Sequence, residues 1–182
     1  MRNVLLLIAM VALCVLPFTS RAANDVVGKP TTQPTPQMWE TMTKPIGSKG
    51  VVEDDVYTIK LTRKDLRVFL EDSPMPAGVL KSEFQFFKCT CGKMEVIGAF
   101  CVTDYEANDV IDALRAGAIK IASVAPMMMG DHPRILIVRF HATGEVEKMS
   151  RTIKEAMDWT GEARMAPAKR PAAAGAAGKT ED

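Results

Sequence analysis

The order of elements in this chain predicts an α+β domain, an antiparallel sheet built from hairpins with two helices packed on one face. Three observations carry that expectation. Residues 56–61 and 134–141 alternate like half-buried strands, and two apolar runs, 82–91 and 94–103, are separated only by Gly92-Lys93. The third is Thr103-Asp104-Tyr105-Glu106, a capping box in which a hydroxyl and a glutamate three residues on serve the first free amides of a helix.

Taken in order, Val56-Tyr57-Thr58-Ile59-Lys60-Leu61 places Tyr57, Ile59 and Leu61 on one strand face. Residues 65–70 read as a second extended piece, closed by the turn chemistry of EDSPMPAG. The two runs around Gly92-Lys93 form a hairpin. The capped helix aligns Ala107, Val110, Ile111 and Leu114 and stops at Gly117. Residues 119–124 give another strand. Residues 134–141 put Leu136, Val138 and Phe140 on one face and Ile135, Ile137, Arg139 and His141 on the other. A last helix, about 145–158, aligns Val146, Met149, Ile153, Ala156 and Met157.

Four segments follow from composition. Residues 1–22 have the layout of a secretory signal peptide: Arg2, an apolar run from Val4 to Phe18, then Ser20-Arg21-Ala22 with small residues at −3 and −1. The run is shorter than the ~20 residues of a membrane span, which makes a retained anchor the rival reading. Cys14 follows bulky Leu13, which argues against a lipid-modified cysteine. Residues 23–50, with KPTTQPTPQ and KPIGSKG, read as a Pro/Thr-rich linker. Residues 51–161 form the single domain, and 162–182 an Ala/Pro/Lys-rich disordered tail. The chain is therefore expected to be exported, periplasmic or extracellular.

The formal charge is +1, with 23 Lys and Arg interspersed among 22 Asp and Glu. No basic stripe interleaved with aromatics occurs, so nucleic acid is not an expected partner. The expected mature chain keeps Cys89, Cys91 and Cys101. An odd number of thiols in an oxidising compartment leaves at least one buried, metal-bound or joined to another chain.

The core resembles the LppY/LpqO family of bacterial extracytoplasmic proteins, which carry a domain of unknown function. The resemblance rests on VYTIKLTRKDLRV (56–68), MPAG (75–78), VIGAFCVTDYEANDVIDAL (96–114), GDHPRILIVRFHATG (130–144) and IKEAMDWTG (153–161). Members of that family commonly show a His-x-His pair before the second hairpin turn and a further histidine on the returning strand. Those positions fall here on Ala125, Met127 and Arg139. The resemblance thus implies a degenerate histidine site, and the tandem domains of some members leave room for a homodimer of this single copy.

The chemistry-bearing residues each admit a plainer explanation. Met127, Met128 and Met129 offer soft thioethers suited to Cu(I), and His132 or His141 would complete such a site; methionine also simply fills irregular gaps under loops. Cys89 and Cys91, if both lie in a strand, share a face with Cα atoms ~7 Å apart, marginal for a disulfide. A redox pair, one edge of a metal site and small buried side chains all remain open. Cys101 would stand roughly 17 Å along the partner strand from Cys89, which excludes a zinc site using all three. Arg139 and His141 share one strand face, and with Lys120 near one sheet edge they offer an anion site. No nucleophile elbow, HExxH, phosphate-binding glycine loop or aspartate-rich cation loop occurs. The sequence therefore favours a non-catalytic binding or interaction module of the cell envelope, its partner a small ligand or an envelope protein, needing no cofactor. The alternative is a copper- or zinc-binding protein using Met127, Met129, His132 and His141.

Overall fold

A computed structural model describes residues 33–161. The expected signal peptide, the first part of the expected linker and the expected tail lie outside the described residues. Strands β1 (Val51–Glu53), β2 (Val56–Thr62), β5 (Lys81–Lys88), β6 (Met94–Thr103), β7 (Lys120–Pro126) and β9 (Ile135–Thr143) form one sheet in the order β1-β2-β5-β6-β9-β7. Every neighbouring pair is antiparallel. A second sheet of two-residue strands, β4-β3-β8, joins β3 (Phe69–Leu70), β4 (Ser73–Pro74) and β8 (Asp131–His132). The α+β architecture expected from the sequence is the one observed.

Strand alternation decides which face is covered. Tyr57 and Ile59 of β2, Phe84 and Phe86 of β5, Val96, Phe100 and Val102 of β6, and Val138 and Phe140 of β9 all point to one side and are buried. Phe84, Phe100 and Phe140 meet with ring centroids 5.0–6.0 Å apart in tilted arrangements. Gly98, in the middle of β6, is part of that packing: a Cβ there would overlap the Phe140 ring, which lies across the glycine. Helices α2 (Asp104–Ala116) and α3 (Val146–Met157) cover this face through Val110 and Leu114, and through Met149, Ile153 and Ala156.

A third helix joins them, inside the segment that composition reads as linker. α1 (Pro36–Met42) starts with Thr35, whose hydroxyl accepts from the Met38 amide, and has Pro36 at its first position. It buries Trp39 completely, stacked on Tyr57 with planes 4° apart and centroids at 5.8 Å. A 3-10 turn at Lys44–Ile46 then buries Ile46. Seven residues are too few for a helical period to stand out from a Pro/Thr-rich background, and one large aromatic side chain overrides the composition.

Two further elements differ from expectation. The extended piece at 65–70 is mostly loop, with only Phe69 and Leu70 paired, to Pro74 and Ser73 on one side and to His132 and Asp131 on the other. The first hairpin turns earlier than Gly92-Lys93: β5 ends at Lys88, which pairs with Met94, and residues 89–93 make the turn. The Cys89 amide donates to the Lys93 carbonyl at 2.9 Å, the Gly92 amide to the Cys89 carbonyl at 2.9 Å, and Gly92 takes the left-handed φ of +83° that favours glycine. Among the described residues no helix is long and apolar enough to cross a membrane.

Candidate functional site

The alternation that buries Tyr57 and Ile59 and half-buries Leu61 carries on, just past the end of β2, to Arg63. Its guanidinium is therefore driven under the domain, and it is only 7% exposed. Nε donates to Asp65, Nη1 to the Cys101 carbonyl at 2.9 Å and to Glu106 at 3.0 Å, and Nη2 to Asp65 at 2.8 Å and Glu106 at 2.9 Å. Glu106 also accepts the Thr103 amide at 2.8 Å, which is the backward half of the capping box, and the Gly161 amide at 2.8 Å. One carboxylate thus joins the head of α2, the end of β2 and the end of the chain described here. Burial disfavours the charged form of Glu106. The bonds from Arg63 and from the Gly161 and Thr103 amides outweigh it and hold the carboxyl below its ordinary range. Asp65 is lowered by its hydrogen bond to Arg63 against a smaller opposing effect of burial. Arg63 itself is opposed by burial but raised by both carboxylates, so it stays charged.

A shallow cleft of about 400 Å³ opens beside this cluster, lined by Thr62, Lys64, Asp65, Thr160 and Gly161. All of the donor positions of Arg63 are used within the protein, so the cluster is a structural clamp and offers no free charge to a ligand.

The opposite face of the large sheet is the second candidate. At one end the small sheet packs onto it through Val68, Leu80, Cys101 and Ile135. Burial pushes the Cys101 thiol up to about 11, in keeping with a small apolar packing role. Beyond that cover the face is open among the described residues, with β7 exposed along most of its length. Residues paired across strands point to the same side, so the register writes out its rows. One row is Thr58, Gln85, Ile97, His141 and Lys120, and the next is Lys60, Glu83, Ala99, Arg139 and Ser123. Arg139 and His141 are both exposed, and Ile97 beside His141 is 50% exposed. Glu83 is engaged by Gln85 at 2.7 Å and by Lys60 at 4.0 Å. On the β9–β7 half, among the described residues, the Arg139, His141 and Lys120 side chains face no carboxylate partner.

The four members of the expected soft-metal set do not come together. Met127 turns inward against the Val68, Leu80, Cys101 and Ile135 cluster, while Met129 is 82% exposed on the far side of the loop. His132 pairs with Phe69 in the small sheet, whereas His141 stands near the other end of β9. From Ile135 to His141 alone the strand rises roughly 20 Å. β7 ends at Pro126 and residues 127–130 bend, so the strand alternation that would put Met127 and Met129 on one side does not hold there. The positions singled out by the family resemblance are adjacent: Ala125 pairs with Ile137, the Met127 amide donates to the Ile135 carbonyl, and Arg139 follows two residues on.

Cys89 and Cys91 lie in the turn and form a disulfide, their Cα atoms 5.1 Å apart. Regular strand geometry, with its ~7 Å spacing, does not apply because β5 has already ended.

These observations describe a small α+β domain with a charge clamp at one end of its sheet and, among the described residues, an uncovered face on which Arg139, His141 and Lys120 make no ion pair. The chain belongs to the family described as Domain of Unknown Function (DUF1259), whose model matches residues 40–159. That match begins inside α1, one residue after Trp39. No curated protein and no solved structure matches the chain.

Proposed function

We propose that this chain is an exported, non-catalytic binding module that holds an anionic group on the β9–β7 half of its open sheet face. The finer kinship, to the LppY/LpqO proteins, is part of the same reading and supports a place in the cell envelope. The carrying observation is the register that sets Lys120, His141 and Ile97 side by side, with Arg139 and Ser123 in the adjoining row. Strands are spaced about 5 Å apart, so the guanidinium, the imidazole and the ammonium all reach one carboxylate or phosphate group. Arginine supplies a two-pronged donor and serine a hydroxyl. Exposed Ile97 offers an apolar neighbour for the rest of the ligand.

The test is an NMR titration of the isotope-labelled full chain with inorganic phosphate and with a dicarboxylate. Amide shifts are expected to cluster at Ile97, Lys120, Ser123, Arg139 and His141, and to vanish in an Arg139→Ala, His141→Ala double variant. Shifts scattered over the whole surface, or unchanged in that variant, would count against the reading. Turnover of a substrate that depends on either residue would replace it with an enzymatic one.

A further inference from the structure

We propose that the β5–β6 turn is a redox-gated metal site, in which Cys89 and Cys91, once reduced, hold Zn(II) together with Glu95. The two sulfurs and a Glu95 carboxylate oxygen all lie within 4.8 Å of one another. Zinc takes thiolates at ~2.3 Å and carboxylate oxygens at ~2.0–2.2 Å, so tetrahedral ligands stand roughly 3.5–3.8 Å from each other. Opening the sulfur–sulfur bond to that separation needs only a modest relaxation of two side chains one residue apart.

The surroundings suit the task. The turn is held at its base from two directions. The Lys93 carbonyl accepts the Cys89 amide, and the Gln33 side chain bonds both the amide and the carbonyl of Lys88 at 3.1 Å. The Cys91 amide donates to the Cys89 sulfur at 3.2 Å, a bond that becomes stronger when that sulfur is a thiolate. Glu95 is fixed by its place in β6, opposite Phe87 and Thr143, and among the described residues it makes no ion pair. Cys91 is exposed and Cys89 and Glu95 are half-buried, so the fourth zinc position stays open to water. Three ligands and one open position distinguish this arrangement from a closed structural site.

The gate is a two-electron exchange with a thiol. Two molecules of RSH reduce the Cys89–Cys91 bond and leave as RSSR, and both cysteines become thiols. Zinc then displaces the two thiol protons. Reaction of the dithiol with a disulfide re-forms the Cys89–Cys91 bond, returns two RSH and expels the ion. Glu95 stands on the same sheet face, one row beyond Ile97 and His141, but the two sites share no residue, so neither reading depends on the other.

The test uses the full chain carrying Cys14→Ser and Cys101→Ser, so that only the turn thiols remain. Zinc affinity is measured by competition with a chromophoric chelator, before and after reduction with a phosphine. One equivalent is expected to bind to the reduced protein, at least 100-fold more tightly than to the oxidised one. Cobalt(II) substitution should give a thiolate charge-transfer band. Cys89→Ser and Cys91→Ser each should abolish tight binding, and Glu95→Gln should weaken it by about tenfold or more while keeping the band. Circular dichroism checks that each variant is folded. Equal affinity of the oxidised and reduced forms, no uptake on reduction, or full affinity in the cysteine variants would overturn the site. Full affinity in Glu95→Gln would overturn the three-ligand assignment.

Discussion

Replacing Glu106 by glutamine is expected to lower the unfolding free energy by about 3–5 kcal/mol, the usual cost of breaking a buried ion pair from one side. Glu106 accepts from both terminal nitrogens of Arg63 and from the amides of Thr103 and Gly161. An amide nitrogen in place of either oxygen would face donors with a donor, and the buried guanidinium would lose half of its counter-charge. Against a total stability of roughly 5–15 kcal/mol for an ordinary domain, the variant should be marginal. The comparison is Lys60→Ala, which breaks an exposed pair at 4.0 Å and should cost no more than about 1 kcal/mol. Urea denaturation followed by circular dichroism separates the two, and a Glu106→Gln cost as small as that of Lys60→Ala would show that the clamp contributes little.

The same cluster predicts a pH dependence of definite sign. Asp65 and Glu106 are both held below their ordinary values in the folded chain. The unfolded chain therefore binds more protons in acid, and stability rises with pH through that range. The contribution is complete above the unfolded values of about 4 and is lost as the pH falls through the lower folded values. The urea midpoint of the wild type should fall steeply below about pH 4, and Glu106→Gln should show a shallower fall.

Trp39→Ala is expected to be comparably severe, about 3–5 kcal/mol, because it empties a fully buried site. The indole stacks on Tyr57 and meets Phe86 at 6.3 Å, so its loss exposes the β2–β5 end of the core. If residues 36–46 were only a tether, the change would fall within about 0.5 kcal/mol, as surface substitutions do. The same urea measurement decides between these outcomes.

How far the sequence speaks for itself differs from element to element, for physical reasons. β2, β6 and β9 alternate because one face is buried, and α2 declares its start through Thr103 and Glu106. Those signals are local. Arg63 was legible in principle, since it extends the period-two line of Tyr57, Ile59 and Leu61 by one step, but a charge on that line reads as the end of a strand until its partners are known. Cys101 and Glu106 reach it from far along the chain, and Gly161 bonds the same Glu106. The side of the sheet on which Arg139 and His141 lie follows from alternation alone. That Lys120 stands opposite His141 depends on register, which a bulge between Ile121 and Ser123 shifts. The disulfide was obscured by a single boundary: three residues more or less of β5 decide whether Cys89 and Cys91 are held apart or brought together.

The bond from Gly161 to Glu106 fixes one end of the described domain. Gly161 is pinned beside Asp65 at the Thr103 end of β6, while the Cys89–Cys91 turn hangs from the Met94 end. The strand between them is roughly 30 Å long. Gly161 therefore lies at one pole of the described domain and the sulfur pair at the other, with the Arg139 and His141 rows between. The two ends of the described domain are thus chemically unlike, an ion-paired carboxylate cluster at one and a sulfur pair at the other.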